Sequence, residues 1–440
     1  MPLSSDITTA RAHYEVVVIG SGYGGAVAAS RMARAFRDVC VLERGREFVA
    51  PGFPSTTMEI LSQIQVDTPS GHRGPETGLY DFRSNPQVWA VVACGLGGGS
   101  LINAGVVLRP RPSVFADPRW PPPLRLRSDG TLPDDLEAAY RRARDVLSPE
   151  EWPADMDPPP RLRRMQEIAD ALDAPMTKTP VNVAFKARTN PFHVEQKACK
   201  LCGDCVSGCN HGSKGTLSTS YLADAWNLGA HLFTKVSVSH LARVAGEWVV
   251  HWTALHDDGH ELFHGFTRAG HVILAAGTFG STQILLRSRK RGLSLSSKVG
   301  TRFSANGDVF AFSWAGKDRV DAIGLDGHPI VGPDLPGPTI LGVVDLRGAA
   351  SAAEQMVIED GVIPGGLLPL SLVRVAEEVE AQVARGETDP ARAEEVLGGV
   401  TAGDAMGVRR GGRAGVHGGS GMTTPPKYNL SIQVSTTLGI

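Results

Sequence analysis

The stretch YEVVVIGSGYGGAVAASRMA, residues 14–33, decides the fold. Its first six residues, Tyr14 to Ile19, form an almost continuous apolar run rich in β-branched side chains, as expected of a parallel strand buried on both faces. The run enters Gly20-Ser21-Gly22-Tyr23-Gly24-Gly25 directly, and Gly20, Gly22 and Gly25 satisfy the pattern G-x-G-x-x-G. From Gly24 to Phe36 the residues Ala26, Val27, Ala29, Met32, Ala33 and Phe36 share one face at helical spacing. A second apolar run, Val39 to Leu42, ends at Glu43. Strand, glycine turn, helix and second strand together make a βαβ beginning.

Each glycine has a physical task in that setting. The first permits the tight turn, the second lets the backbone approach a pyrophosphate, and the third lets helix and strand pack closely. Phosphate would sit at the positive end of the helix. Glu43, about 20 residues further on, is placed to accept hydrogen bonds from ribose hydroxyls. The pattern counts because the strands surround it; alone it would be an ordinary glycine turn. It does not separate FAD from NAD, since both use this fold.

Outward from this core, Pro, Gly and Ser interrupt every periodic pattern between Val49 and Asn85, which predicts a long loop covering a cofactor. A second glycine-rich turn follows, Gly95-Leu96-Gly97-Gly98-Gly99-Ser100, whose Gly97, Gly98 and Gly99 present backbone N–H groups without side-chain obstruction. Pro110 to Pro123 reads as a crossing between domains. Leu136 to Leu147 and Leu162 to Leu172 have helical spacing, as does Leu217 to Leu228. Trp248 to Leu255 and Glu261 to Arg268, separated by Asp257-Asp258-Gly259, predict part of a three-stranded meander after Leu232. His271 to Ala276 returns to a buried strand, followed by Gly277 and a helix over Ser281 to Arg287. A charged helix is expected over Ser371 to Leu397, and Arg409 to Gly421 is Gly- and Arg-rich with little to bury.

With 440 residues the chain has room for two units. Apolar residues at 42% and charged residues at 20% are ordinary globular usage. A net charge of −2 supplies no basic field for nucleic acid or anionic lipid. No window reaches the roughly 18 apolar residues of a membrane span. The amino terminus lacks the marks of a secretory signal, so a cytoplasmic setting with reduced thiols is expected.

Four of the six cysteines cluster as Cys199-x-x-Cys202-x-x-Cys205-x-x-x-Cys209. This is the spacing of a bacterial ferredoxin run, with Asn210 where proline would follow. An iron–sulfur cluster, a zinc ion and a structural loop are the three readings the spacing leaves open. In ferredoxins the fourth cysteine of such a run serves a second cluster. Cys40 and Cys94 read as buried small hydrophobes.

Three blocks in order, VVVIGSGYGGAVAASRMA with VLERG, GLGGGSLINAGVVLRP and ILAAGTFGSTQILLRS, resemble the glucose-methanol-choline (GMC) flavoenzymes. Within that family the sequence is similar to the cholesterol oxidase-like branch over roughly Tyr14 to Gly366. The resemblance implies FAD, with Tyr23 and Gly24 beside the pyrophosphate and Glu43 on the ribose. It places Gly99, Asn103 and Val106 against the diphosphate and flavin, with Ala104 where such enzymes often have glycine. Val236 would supply backbone contacts to the adenine, and Gly277 would hold the second βα crossing. The implied reaction is oxidation of a lipophilic secondary alcohol, a 3β-hydroxysteroid, by hydride transfer to flavin N5, with oxygen as final acceptor.

The segment Gln355 to Gly366 resembles the part of cholesterol oxidases that carries an active-site glutamate, and Glu359 is the matching residue. A carboxyl in an apolar run can be raised in pKa and serve as a base; a carboxylate at a strand end is the plain alternative. The family also places a catalytic histidine in a carboxy-terminal segment. Here only Val416-His417-Gly418-Gly419-Ser420 resembles that block, faintly, and the expectation is a chain lacking it.

The expected fold is α/β. A discontinuous Rossmann-like FAD-binding domain, residues 1–115 and 205–310, carries an inserted β-meander. A substrate domain with antiparallel sheet and helices takes 116–204 and 311–400, and 401–440 forms an irregular tail. Two further functions stay open: a dehydrogenase for long-chain or other alcohols using a non-oxygen acceptor, and a truncated, non-catalytic flavin-binding remnant.

Overall fold

Val16, Val17, Val18 and Ile19 are all buried, which only a strand covered on both faces can achieve. In the computed structural model, His13–Ile19 lies inside a seven-stranded sheet. The structure describes residues 2–68, 71–85, 89–304, 306, 308–313, 320–325, 335–348, 355–368, 383–386 and 431–436. His417, the Gly- and Arg-rich stretch 409–421 and, apart from 383–386, the charged helix expected over 371–397 lie outside the described residues.

Val16 and Val18 meet Ala26, Ala29 and Ala33 of the helix Tyr23–Arg34, while Val17 and Ile19 meet Val238 and Ile284 on the other face. Alanines at these positions let the helix lie close to the strand. Ser4–Ser5, His231–Phe233, Val39–Leu42 and His13–Ile19 run parallel, and the end of Glu261–Leu274 continues that order. Val236–Val244, Glu247–Leu255 and Glu261–Leu274 form the expected antiparallel meander.

One strand differs from the sequence reading. Glu261 to Arg268 and His271 to Ala276, expected as separate strands, are one strand of 14 residues. Its first part pairs with Glu247–Leu255, and from Arg268 to Leu274 it pairs with His13–Ile19. A single element thus fastens the meander to the parallel sheet.

The expected long loop at 49–85 is largely ordered structure. Thr56 and Glu59 form a capping box on the helix Thr57–Ser62. Ile64–Thr68, Gly71–Arg73, Tyr80–Ser84 and Trp89–Ala93 then build a four-stranded sheet. Its strands are too short and too often broken by Gly and Pro to show a period. Ile64, Tyr80 and Phe82 pack with Phe48, Phe53, Ile60 and Leu101, and buried polar contacts add to this: the Gln65 amide donates to Gly78 O at 2.6 Å, and the Tyr80 hydroxyl donates to Ser207 O at 2.9 Å.

A third sheet of five antiparallel strands joins Asp308–Ser313, Ser431–Thr436, Val357–Gly361, Gly342–Asp345 and Met176–Lys178. Met165 and Ala169 of the helix Pro160–Ala171 pack on its Val344 and Ile358. Two expectations are corrected here. Ser431–Thr436, assigned to the irregular tail, is a strand between two others, and Asp308–Ser313, divided by the boundary at 310, belongs wholly to this sheet.

Candidate functional site

The glycine turn opens onto a cavity of about 660 Å³, within the roughly 300–1,000 Å³ of cofactor-sized sites. The turn is fastened first. Gly20, at φ +93°, donates its N–H to Leu42 O at 2.8 Å, and a Cβ there would lie 2.5 Å from Ala275 O. A Cβ on Gly25 would lie 1.9 Å from Gly20 O, so helix and turn touch through bare backbone. Gly22 and Gly24 behave otherwise. A Cβ on either would meet nothing within 4 Å, and both line the cavity.

Gly98 closes the same cradle from the second glycine loop, where a Cβ would stand 2.7 Å from the Cα of Gly22. Gly99 and Gly277 also line the cavity with nothing within 4 Å of an added Cβ. Two helices, Tyr23–Arg34 and Gly277–Lys290, begin at this space. Bare backbone N–H groups and the positive ends of two helix dipoles make an anion site. The chemistry and open glycine surfaces fit the diphosphate of a dinucleotide.

Glu43 borders the cavity but is already engaged with the chain. Its carboxylate accepts from Ser21 N–H at 3.0 Å, from the Ser21 hydroxyl at 2.6 Å and from Gly45 N–H at 2.9 Å. With about four lone-pair sites on a carboxylate, one remains for a ribose hydroxyl. Beyond it lies a charged group drawn from the four-stranded sheet. Buried Asp81 accepts from Arg44 at 2.5 Å and from Arg83 at 2.6 and 2.7 Å, and Arg83 also pairs with Asp67. Burial raises the Asp81 carboxyl, with Arg44 opposing.

The segment after the second glycine loop reaches the rim. The Asn103 amide donates to the Tyr23 hydroxyl at 2.8 Å, and Val106 bridges to Val181. Buried Lys214 donates to three carbonyls: Leu101 O at 3.1 Å, Asn103 O at 2.6 Å and Cys205 O at 3.0 Å. Burial lowers its ammonium to about 8.

That third carbonyl belongs to the cysteine loop. Cys199, Cys202, Cys205 and Cys209 carry free thiols and line a second, small cavity with Gly203, Gly208, His211 and Lys214. Burial pushes the Cys199, Cys202 and Cys205 thiols up. Among the described residues, no three or more His, Cys, Asp or Glu side chains are gathered for a single metal ion. Glu359 sits apart, on Val357–Gly361, opposite Val343. Burial, then the charge of Asp308, raises its carboxyl to about 6.

Residues 14–305 match the family model "GMC oxidoreductase". The chain is a GMC oxidoreductase family member. It is 31% identical over 316 residues to a cholesterol oxidase of Mycobacterium tuberculosis, covering 67% of this chain and 52% of that protein. It is 24% identical to a cholesterol oxidase of Acinetobacter baumannii, covering 69% and 56%. The crystal structure of pyridoxine 4-oxidase from Mesorbium loti superposes with a TM-score of 0.49 at 16% identity, covering 80% and 67%. The chain thus spans about half the length of the curated relatives it matches.

In this GMC oxidoreductase, Gly20, Gly22, Tyr23, Gly24, Glu43, Gly98, Gly99, Val236 and Gly277 converge on one cavity. Gly25 and Gly97 serve the turns beneath it, while Asn103 reaches it only through Tyr23. Ala104, Val106 and Glu359 are not among its lining residues. The sequence reading missed Ser21, whose hydroxyl donates to Glu43, and whose position inside the glycine turn was the available signal. It also missed Arg44, Asp81 and Arg83, which only the four-stranded sheet brings together. Among the described residues, no helix is long and apolar enough to cross a membrane.

Proposed function

We propose that this chain is an FAD-dependent oxidoreductase acting on the CH–OH group of a lipophilic secondary alcohol, a 3β-hydroxysteroid. The observation that carries the reading is the glycine cradle at two helix N-termini, with open space beside Gly22, Gly24, Gly99 and Gly277. Similarity to cholesterol oxidases supports the substrate class. FAD, when bound, supplies the hydride acceptor for the alcohol carbon and passes the electrons on to oxygen.

The chain's own residues divide the work. Residues 1–115 and 205–304 hold the cofactor, and 116–204 with the five-stranded sheet hold the substrate. Tyr23, Gly24, Gly98 and Gly99 face the diphosphate above the turn that holds Gly97, Glu43 orients the ribose, and Val236 borders the adenine. Gly277 starts the second helix that points at the phosphates. Asn103, fixed to Tyr23 and to Lys214, positions the loop continuing through Ala104 and Val106 on the flavin side. Glu359 is the base for an accompanying double-bond shift. With its carboxyl at about 6 it is mostly ionised at neutral pH, yet basic enough to take a proton from a substrate carbon. A reducing, cytoplasmic setting belongs to the same reading.

A second reading, a dehydrogenase that delivers electrons to an acceptor other than oxygen, is favoured by the cysteine-lined cavity beside the flavin-facing loop.

The test is an anaerobic titration of the flavin-loaded chain with a 3β-hydroxysterol and with a long-chain alcohol, followed at the flavin absorbance. Bleaching by the sterol is expected, with an isomerised ketone as product. An unchanged spectrum with both alcohols would leave a non-catalytic flavin-binding protein.

A further inference from the structure

Alcohol oxidation leaves the four clustered cysteines without a task. We infer that Cys199, Cys202, Cys205 and Cys209 hold a [4Fe–4S] cluster, which Lys214 ties to the flavin-facing loop. Its use as an electron outlet rests on the flavin-dependent reading above; the ligand set does not.

All four residues border one small cavity. The loop around it is folded to offer N–H groups to sulfur. Leu201 N–H donates to the Cys199 Sγ at 3.3 Å, Asp204 N–H faces the Cys202 sulfur, and Thr339 N–H faces the Cys205 sulfur. Such N–H···S bonds tune iron–sulfur centres.

Left-handed backbone at Leu201, Gly203 and Gly208 curls the chain about the space. The loop is also clamped. A Cβ on Gly203 would lie 2.7 Å from Val362, and one on Gly208 would lie 2.1 Å from the Phe53 ring. The loop's course is therefore fixed by the fold around it, and the cysteine side chains must turn outward to admit a cluster, since the cavity holds about 10 Å³.

The chemistry favours a cluster over one ion. A cubane takes one thiolate on each of its four irons, and the run supplies four cysteines at ferredoxin spacing. In ferredoxins the fourth cysteine of this run serves a second cluster. This sequence has six cysteines and no second run. Cys209 borders the same cavity as the other three, so it closes the set here.

Lys214 completes the site. Four thiolates outweigh the positive charge of the core, and the neighbouring ammonium offsets the excess. The same ammonium binds Cys205 O, Leu101 O and Asn103 O, so cysteine loop and flavin-facing loop share one anchor. A cluster carries one electron at a time, whereas the alcohol gives up two electrons and two protons in becoming a ketone. Two equivalents of a one-electron acceptor would be reduced for each alcohol oxidised, with two protons released.

The full chain, purified and reconstituted anaerobically with ferrous iron and sulfide, decides the matter. The expected result is about four iron and four acid-labile sulfide per chain, with a paramagnetic signal after dithionite reduction. Cys199→Ala, Cys202→Ala, Cys205→Ala and Cys209→Ala should each lower the iron content, while Cys40→Ala should not. Lys214→Met should shift the cluster's reduction potential, and Lys214→Arg should restore it in part. Stoichiometric zinc without labile sulfide would overturn the cluster, and full iron in Cys209→Ala would overturn its place in the ligand set. Flavin content of the same sample separates the two readings. Flavin without iron refutes the cluster, and iron with sulfide but no flavin supports the cluster while refuting the FAD reading.

Discussion

Glu43 spends three acceptor sites on Ser21 and Gly45, so its first role is to hold the glycine turn in shape. Hydrogen bonds to a charged acceptor contribute about 1.5–3 kcal/mol each, and an amide can replace only part of the set. Glu43→Gln should therefore lose about 2 kcal/mol of unfolding free energy in a denaturant titration, together with FAD affinity. Glu359 makes a pH-dependent prediction. Its folded value of about 6 lies above the ordinary 4.5, so the native state holds this proton more tightly than the unfolded chain. The associated stability is full below about 4.5 and is lost as pH rises through about 6. The shift corresponds to about 2 kcal/mol. Between about pH 4 and pH 7, stability should move in favour of Glu359→Gln by up to that amount relative to wild type. In the reaction the same variant should form ketone but slow the double-bond shift by about 10²–10⁴-fold, as for loss of a general base. Glu43 was legible because it ends the second strand. Its bonds to Ser21 were not, because they depend on how tightly the turn folds back.

At the scale of elements, the strand Glu261–Leu274 joins meander to parallel sheet, and Gly265 shows how tightly. A Cβ there would come 2.3 Å from the Trp252 ring. Gly265→Ala should cost about 1–3 kcal/mol, as overpacking does, measured by chemical denaturation. The sequence reading divided this strand because Ala269-Gly270 interrupts the apolar run and the partners change from antiparallel to parallel. The stretch 49–85 reads as a loop for a related reason: its strands are short, and the apolar residues Ile64, Tyr80 and Phe82 that pack together are separated by turns that break any period. In the five-stranded sheet, buried Arg161 pairs with Asp360 and donates to Pro336 O at 2.9 Å, while Asp360 accepts from Leu341 and Gly342 N–H at 2.7 Å. Arg161→Met would leave a buried carboxylate without its cation, a loss of about 3–5 kcal/mol, seen as a lowered denaturation midpoint. Neither partner stands out in the sequence, because Arg161 lies in an arginine-rich helix and Asp360 sits beside another acid.

For the whole molecule, the legible part is what short segments encode alone: the βαβ beginning, both glycine turns and the cysteine run. What was not legible arises from convergence. Arg44, Asp81 and Arg83 meet because a separate sheet folds over the end of the second strand, and Lys214 joins two loops more than a hundred residues apart in sequence. The proposed function requires the bare backbone at Gly22 to serve a dinucleotide and not the fold. Gly22 has φ −65°, which any residue adopts, and nothing lies within 4 Å of an added Cβ. The measurement is the ratio of bound flavin to protein, by absorbance after dialysis from FAD, for wild type and Gly22→Val. Wild type should retain FAD near one per chain and Gly22→Val almost none, with apo-protein stability changed by no more than about 0.5 kcal/mol. Equal retention by the two proteins, or no flavin in wild type, would rule out a dinucleotide at Gly22.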